Sequence, residues 1–170
     1  MATFEDWRDV DLGKLAKKAA ALATAFRVVS ALVRMDYEIL FKDLIAAAAF
    51  DWKHPEFTRI QVLRHIFEYG QRTIRFEVIY FRRVVTAEEA LFEMGACGLR
   101  PATLLELLAF AAKYRNMQLQ FPVVCLGTEL EILGFKGYAF LDELAGGRAL
   151  DISFNNIGWS ELCLFLAVKK

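Results

Sequence analysis

Residues 11–33 are dominated by Ala, Leu, Lys, Val and Phe, with no Gly or Pro after Gly13, and Thr24, Arg27, Ser30 and Arg34 fall on one polar stripe at spacings of three and four. That pattern predicts a long helix with an unusually wide apolar face. Something must cover that face, either the rest of the chain or a second copy, and the small Ala side chains allow close helix approach. Residues 34–41 alternate instead, with Met35, Tyr37, Ile39 and Phe41 on one side, and predict a half-buried strand. A short Ala-rich helix follows over 42–50. A loop at 51–55 is set by Pro55, which disfavours helix at His54. The apolar spacing over 56–70 suits a helix closed by Gly70.

Residues 73–85 carry the strongest strand signal, rich in β-branched and aromatic side chains, with Ile74, Phe76, Val78 and Tyr80 facing one way. Thr86 and Glu89 have the spacing of a capping box, in which each side chain satisfies the other residue's backbone amide, and Gly95 and Gly98 close the helix that it opens. A second box, Thr103 and Glu106, opens a helix to about Tyr114, with Leu104, Leu107, Leu108 and Ala111 as its inward stripe. Short strands follow at 123–126, 129–133, 138–141, 149–154 and 162–168, punctuated by glycines at turn positions. The expected fold class is therefore α+β, with a helical N-terminal region containing one strand over residues 1–70. Over 71–170 a strand, two helices and several antiparallel strands are expected.

Composition narrows what such a fold does. The chain has 170 residues, 56% of them hydrophobic, and 21 basic residues balance 21 acidic ones. That length supports a self-sufficient core, and the apolar content excludes global disorder. The neutral balance argues against a dedicated nucleic-acid binder. Cys97, Cys125 and Cys163, an odd number at wide spacings beside apolar residues, read as buried thiols of a reducing compartment, so a cytoplasmic location is expected. The N-terminus carries Glu5, Asp6 and Asp9 where a secretory signal would be basic, so no signal peptide is expected. The apolar window at 19–33 is too short for a bilayer and is interrupted by Thr24, Arg27 and Ser30, so no membrane span is expected either.

Candidate chemistry is sparse. His54 and His65 have no partners at metal-ligand spacing, so neither a metal nor a cofactor is expected. Nor is a catalytic residue assigned. Glu129, Glu131, Asp142, Glu143 and Asp151 offer acid and base groups but have the positions of solvated strand-edge and turn residues. Gly146 and Gly147 lack the spaced glycines and Lys of a phosphate loop. Arg72, Arg75, Arg82 and Arg83 are a candidate patch for a small anion or a nucleic acid, but Glu77 among them favours a salt-bridged sheet face.

Two phrases carry a family resemblance. The segment 98–106, Gly-Leu-Arg-Pro-Ala-Thr-Leu-Leu-Glu, and the ending with Trp159 before 162–168 resemble the C-type-lectin-like fold of formylglycine-generating-enzyme relatives and of diversity-generating-retroelement targets. The chain is also similar to hypothetical proteins of candidate-phylum bacteria with such endings. The resemblance covers about residues 70–170. It implies a display platform rather than calcium-dependent sugar binding, because the Glu-Pro-Asn and Gln-Pro-Asp tripeptides are both missing. Formylglycine chemistry needs a cysteine pair near the C-terminus, where only Cys163 stands.

The resulting expectation is a non-enzymatic binding or display module that recognises a protein or another ligand through residues 153–161. Asn155, Asn156, Trp159, Ser160 and Glu161 are the candidate contacts, mixing adaptable amides with a rigid aromatic anchor. A simple turn with Trp159 in the core is the competing reading of the same residues. Two other readings stay open: a self-assembling or phage-associated inhibitor-type protein using 12–33 as its homo-oligomer interface, and an enzyme with a carboxylate-lined cleft around Glu129 and Asp151.

Overall fold

The computed structural model describes residues 27–59, 70–154 and 158–170. They form a mixed α+β fold around one eight-stranded sheet. In chain order the elements are β1 (Arg27–Asp36), α1 (Phe41–Ala48), β2 (Trp52–Lys53), a 3-10 turn (Pro55–Thr58) and β3 (Gln71–Tyr80). Then come α2 (Ala87–Ala96), β4 (Leu99–Pro101), α3 (Leu104–Lys113), a second 3-10 turn (Met117–Leu119), β5 (Val123–Ile132), β6 (Phe135–Leu144), β7 (Gly147–Ser153) and β8 (Leu164–Lys169). The strand order is β1-β3-β8-β5-β6-β7-β2, with β4 also paired to β8.

Two helices begin where local chemistry says they should. Thr86 accepts from the Glu89 amide while Glu89 accepts from the Thr86 amide, and Thr103 and Glu106 repeat the exchange at α3. Gly98, just past α2, takes a left-handed φ of 70°, which costs glycine least.

Alternation then sorts the sheet into two faces. On one face Ile74, Phe76 and Val78 of β3, Leu164, Leu166 and Val168 of β8, and Ala31, Val33 and Met35 of β1 pack under α1 and α3. The opposite face presents Ile79, Val124, Leu126, Phe165 and Ala167 to α2, Val85 and Trp159. Helices therefore cover both faces, with the larger core beneath α3.

The central strand is β8. One side pairs with β3, placing Val168 opposite Phe76. The other side is shared, because β5 runs parallel to residues 164 and 165, while β4 runs antiparallel to residues 167–169. The two neighbours meet where the Gly127 amide donates to the Ala102 carbonyl at 2.9 Å. A Cβ at Gly127 would sit 2.5 Å from that same oxygen, so only glycine fits.

Several expectations are corrected. The helix expected over 11–33 is contradicted over its last turns, since 27–33 belong to β1; its earlier part lies outside the described residues. The strand expected at 34–41 ends at Asp36, and α1 begins at Phe41. Within the expected loop at 51–55, Trp52 and Lys53 pair in parallel with Ala149 and Leu150. The helix expected over 56–70 is a 3-10 turn at its start, and 60–69 lie outside the described residues. The strands expected at 123–126 and 129–133 are one, β5, with a register shift between Val124 and Glu129. The sheet is mixed, not purely antiparallel, because β5–β8 and β2–β7 are parallel. Of the three thiols Cys125 and Cys163 are buried, but Cys97, which caps α2, is exposed. Among the described residues no helix is long and apolar enough to cross a membrane.

Candidate functional site

The surface expected at 153–161 is not assembled around Trp159. Only 6% of that residue is exposed, its ring packs edge-on against Phe140 at 5.6 Å and Phe165 at 6.2 Å, and its backbone bridges to Val85. The expected exposed anchor is a core side chain, a correction whose cause is the tertiary pairing with Val85. Ser160 and Glu161 are exposed; Ser160 Oγ accepts from the Leu162 amide and lies 3.5 Å from Cys163 Sγ. Asn155 and Asn156 lie outside the described residues.

The carboxylates of the enzymatic reading stand on either side of β6. Glu129 is tied to Lys136 at 2.8 Å and accepts from the Tyr138 hydroxyl at 3.3 Å; Lys136 holds it below the ordinary carboxylate value. Asp151 lies across β6 on β7, where Oδ1 accepts from the Ile152 amide. Among the described residues no three His, Cys, Asp or Glu side chains converge on a possible metal position.

A different site forms where β8 stops. The register puts Ile74 level with Lys170, so Gln71, Arg72 and Thr73 of β3 run on past the end of β8. On the other flank Arg100 of β4 lies opposite Val168. The result is a notch of about 280 Å³ lined by Tyr37, Arg72, Thr73, Ile74, Arg75, Arg100, Val168, Lys169 and Lys170. The Lys170 amide donates to Gly98 at 3.2 Å and holds this segment against β4.

Strand parity distributes the charges. Arg72 shares the face of Ile74, and Arg100 that of Val168, which is the α3 side; Thr73, Arg75 and Lys169 belong to the opposite face. Five cationic side chains therefore line the notch from both faces of the sheet end, and no acidic side chain lines it.

Arg100 is held from behind. Its guanidinium donates to both carboxylate oxygens of Glu106, at 2.9 and 2.7 Å, in the bidentate geometry that suits arginine. Glu106 is fully buried and also accepts from the Tyr37 hydroxyl at 2.9 Å and the Thr103 amide at 2.8 Å. Burial pushes its pKa up, but Arg100, the Thr103 amide and Tyr37 outweigh burial and hold the carboxyl below its ordinary value. Two first-turn amides of α3 have side-chain partners, since the Glu106 amide donates to Thr103 Oγ1 and the Leu104 amide donates to Thr128 Oγ1 at 2.9 Å.

The arginine patch suggested by sequence splits in two. Arg72 and Arg75 reach the notch, whereas Arg83 pairs with Glu93 at 2.5 Å and lies 3.6 Å from Glu89, and Arg82 occupies a left-handed turn position with φ 58°. Sequence reasoning missed Arg100, Lys169 and Lys170. Only strand register joins those three to Arg72, and the nearest available signal was a lysine pair closing an apolar strand.

No family model, curated protein or solved structure matches the chain.

Proposed function

We propose that this protein is a non-enzymatic binding module of the cytoplasm, C-type-lectin-like over residues 71–170 as its phrases imply, and that its ligand seat is the cationic notch at the end of β8. One observation carries the reading: in a chain of zero net charge, five basic side chains and no acidic one line a single concavity. Concentrated positive charge beside low-dielectric walls attracts anions and raises their local concentration. Ile74 and Val168 supply an apolar floor, and Arg100, whose charge Glu106 balances, forms a fixed wall, so the attraction rests chiefly on the other four cations. The ligand is accordingly anionic, presented by a small molecule or by a protein partner.

Calorimetric titration with inorganic tripolyphosphate in low-salt buffer tests the seat. Saturable binding is expected, weakening as salt rises, and the Arg72→Glu/Lys170→Glu variant should lose at least tenfold in affinity. Both side chains are exposed, so the variant should keep the wild-type circular dichroism. Equal affinity in the folded variant would refute the reading.

A further inference from the structure

We infer that the notch receives an extended acidic segment of a partner protein, which adds to the sheet as a short strand in line with β8; this rests on the seat proposed above and names its ligand as a peptide. Where β8 runs, it fills the gap between β3 and β4, with Val168 opposite both Phe76 and Arg100. The gap is therefore one strand wide. It continues past Lys170, where one flank is Gln71, Arg72 and Thr73 of β3 and the other is Gly98.

Backbone direction decides what the gap offers. The Gly70 carbonyl accepts from the Tyr37 amide on the β1 side. Successive residues of a strand turn their N–H and C=O to opposite sides, so Arg72 and Ile74 serve β1 while Gln71 and Thr73 point into the notch. Both are exposed, and among the described residues no strand pairs with them on that side. The outer edges of the sheet are blunted by comparison. The Leu32 carbonyl of β1 is held by Lys113 and Tyr114, and β2 has two residues before the turn at Pro55. Strand groups left open in this way are a template for another strand.

Charge sets the chemistry of that strand. A residue placed opposite Thr73 carries its side chain on the face of Arg75 and Lys169. Neither of these, nor Lys170, has a carboxylate partner among the described residues, whereas Arg100 is balanced by Glu106 and serves only as a wall. The next residue of the segment turns to the α3 face, where Tyr37, Ile74 and Val168 line the notch. Acidic and apolar side chains in alternation therefore match the two faces of the slot.

The experiment is an NMR titration of the isotope-labelled protein with the capped peptide acetyl-Glu-Val-Glu-Val-Glu-Val-amide. Saturable binding is expected, with the Thr73 amide protected from hydrogen exchange in the complex. Methylating the peptide's glutamate amides keeps its charge but removes the donors that face β3, so affinity should fall about tenfold or more, the worth of one or two hydrogen bonds. Methylated valine amides face away from β3 and should cost less than about threefold, under half of one such bond. On the protein side, Thr73→Pro removes a donor that serves no described strand, at an edge position that tolerates proline. It should weaken the peptide about tenfold and leave tripolyphosphate binding within about threefold. The methylated peptides use the wild-type protein, so they decide the question even where that variant does not fold. A glutamate-methylated peptide as tight as its parent, equal losses for the two methylated peptides, or an unprotected Thr73 amide at saturation would each overturn strand addition. If tripolyphosphate binds and the peptide does not, the inference fails and the anion seat stands; if neither binds, the seat itself fails.

Discussion

At the scale of single residues, two side chains are placed by their neighbours more than by their own type. Trp159 lies between Phe140 and Phe165 on the α2 side of the sheet, and its truncation should cost roughly 3–5 kcal/mol of stability, read from a urea denaturation curve. A loss under about 1 kcal/mol would return it to the surface. Arg148 is buried with its backbone amide donating to Asp51 Oδ2 at 2.7 Å and its guanidinium turned to backbone carbonyls. One Nη donates to the Ala48 carbonyl, with Ala49 at 3.3 Å, the other donates to Ala111 at 2.7 Å, and the guanidinium lies over the Phe50 ring. It therefore closes the C-terminal end of α1 and the last turn of α3, where the helix dipole favours a cation. Desolvation, and after it the charge of Arg115, lowers its pKa, while Asp51 acts in the opposite sense. Arg148→Ala leaves buried carbonyls without donors, so a loss of about 3 kcal/mol or more is expected in the same assay. Arg148→Lys should recover part of it.

At the scale of elements, α3 is the joint between fold and site. Glu106, which closes its capping box, serves the amide of the cap residue Thr103, the Tyr37 hydroxyl after β1 and the Arg100 guanidinium of β4 together. The folded-state pKa of Glu106 lies below its unfolded value, so its contribution is present above about pH 4.3 and is lost as pH falls through the folded value. Glu106→Gln should therefore be less stable than wild type at pH 7 and should show a smaller loss of stability between pH 5 and about pH 3, measured by denaturation at several pH values. Parallel pH curves for the two proteins would contradict this. The edge strand β1 is protected by the same helix, since Lys113 and Tyr114 both donate to the Leu32 carbonyl, at 2.8 and 2.9 Å. Burial raises the Tyr114 pKa to about 12, so its hydroxyl stays a donor at neutral pH.

At the scale of the whole molecule, the segments before and after residue 70 share one sheet and one core. Val33, Met35, Phe41, Leu44 and Phe57 are in the same buried cluster as Phe76, Phe110 and Leu166. Five large side chains at about 1.5–3 kcal/mol each approach the entire 5–15 kcal/mol stability of a typical domain. A fragment of residues 71–170 alone is therefore expected to lose cooperative thermal unfolding, measured by circular dichroism, and a sharp transition in that fragment would show an independent unit.

What could be read along the chain is what short-range chemistry fixes. The two capping boxes satisfy amides three residues away, the alternation of Ile74, Phe76 and Val78 needs only a two-faced strand, and α1 follows from the Ala-rich run after residue 42, although Phe41 was expected in the strand before it. None of these depends on a distant partner. The arrangement of residues 27–36 does: an apolar run of this kind suits a buried helix or a buried strand equally, and pairing with β3 from Arg27 opposite Ile79 to Asp36 opposite Gln71 selects the strand. Trp159 is decided in the same way by Val85, and the notch by β8 stopping between β3 and β4. Register and face are relations between segments far apart in the chain, so periodicity within one segment carries no information about them, and only the assembled sheet brings Arg72, Arg100 and Lys170 to one place.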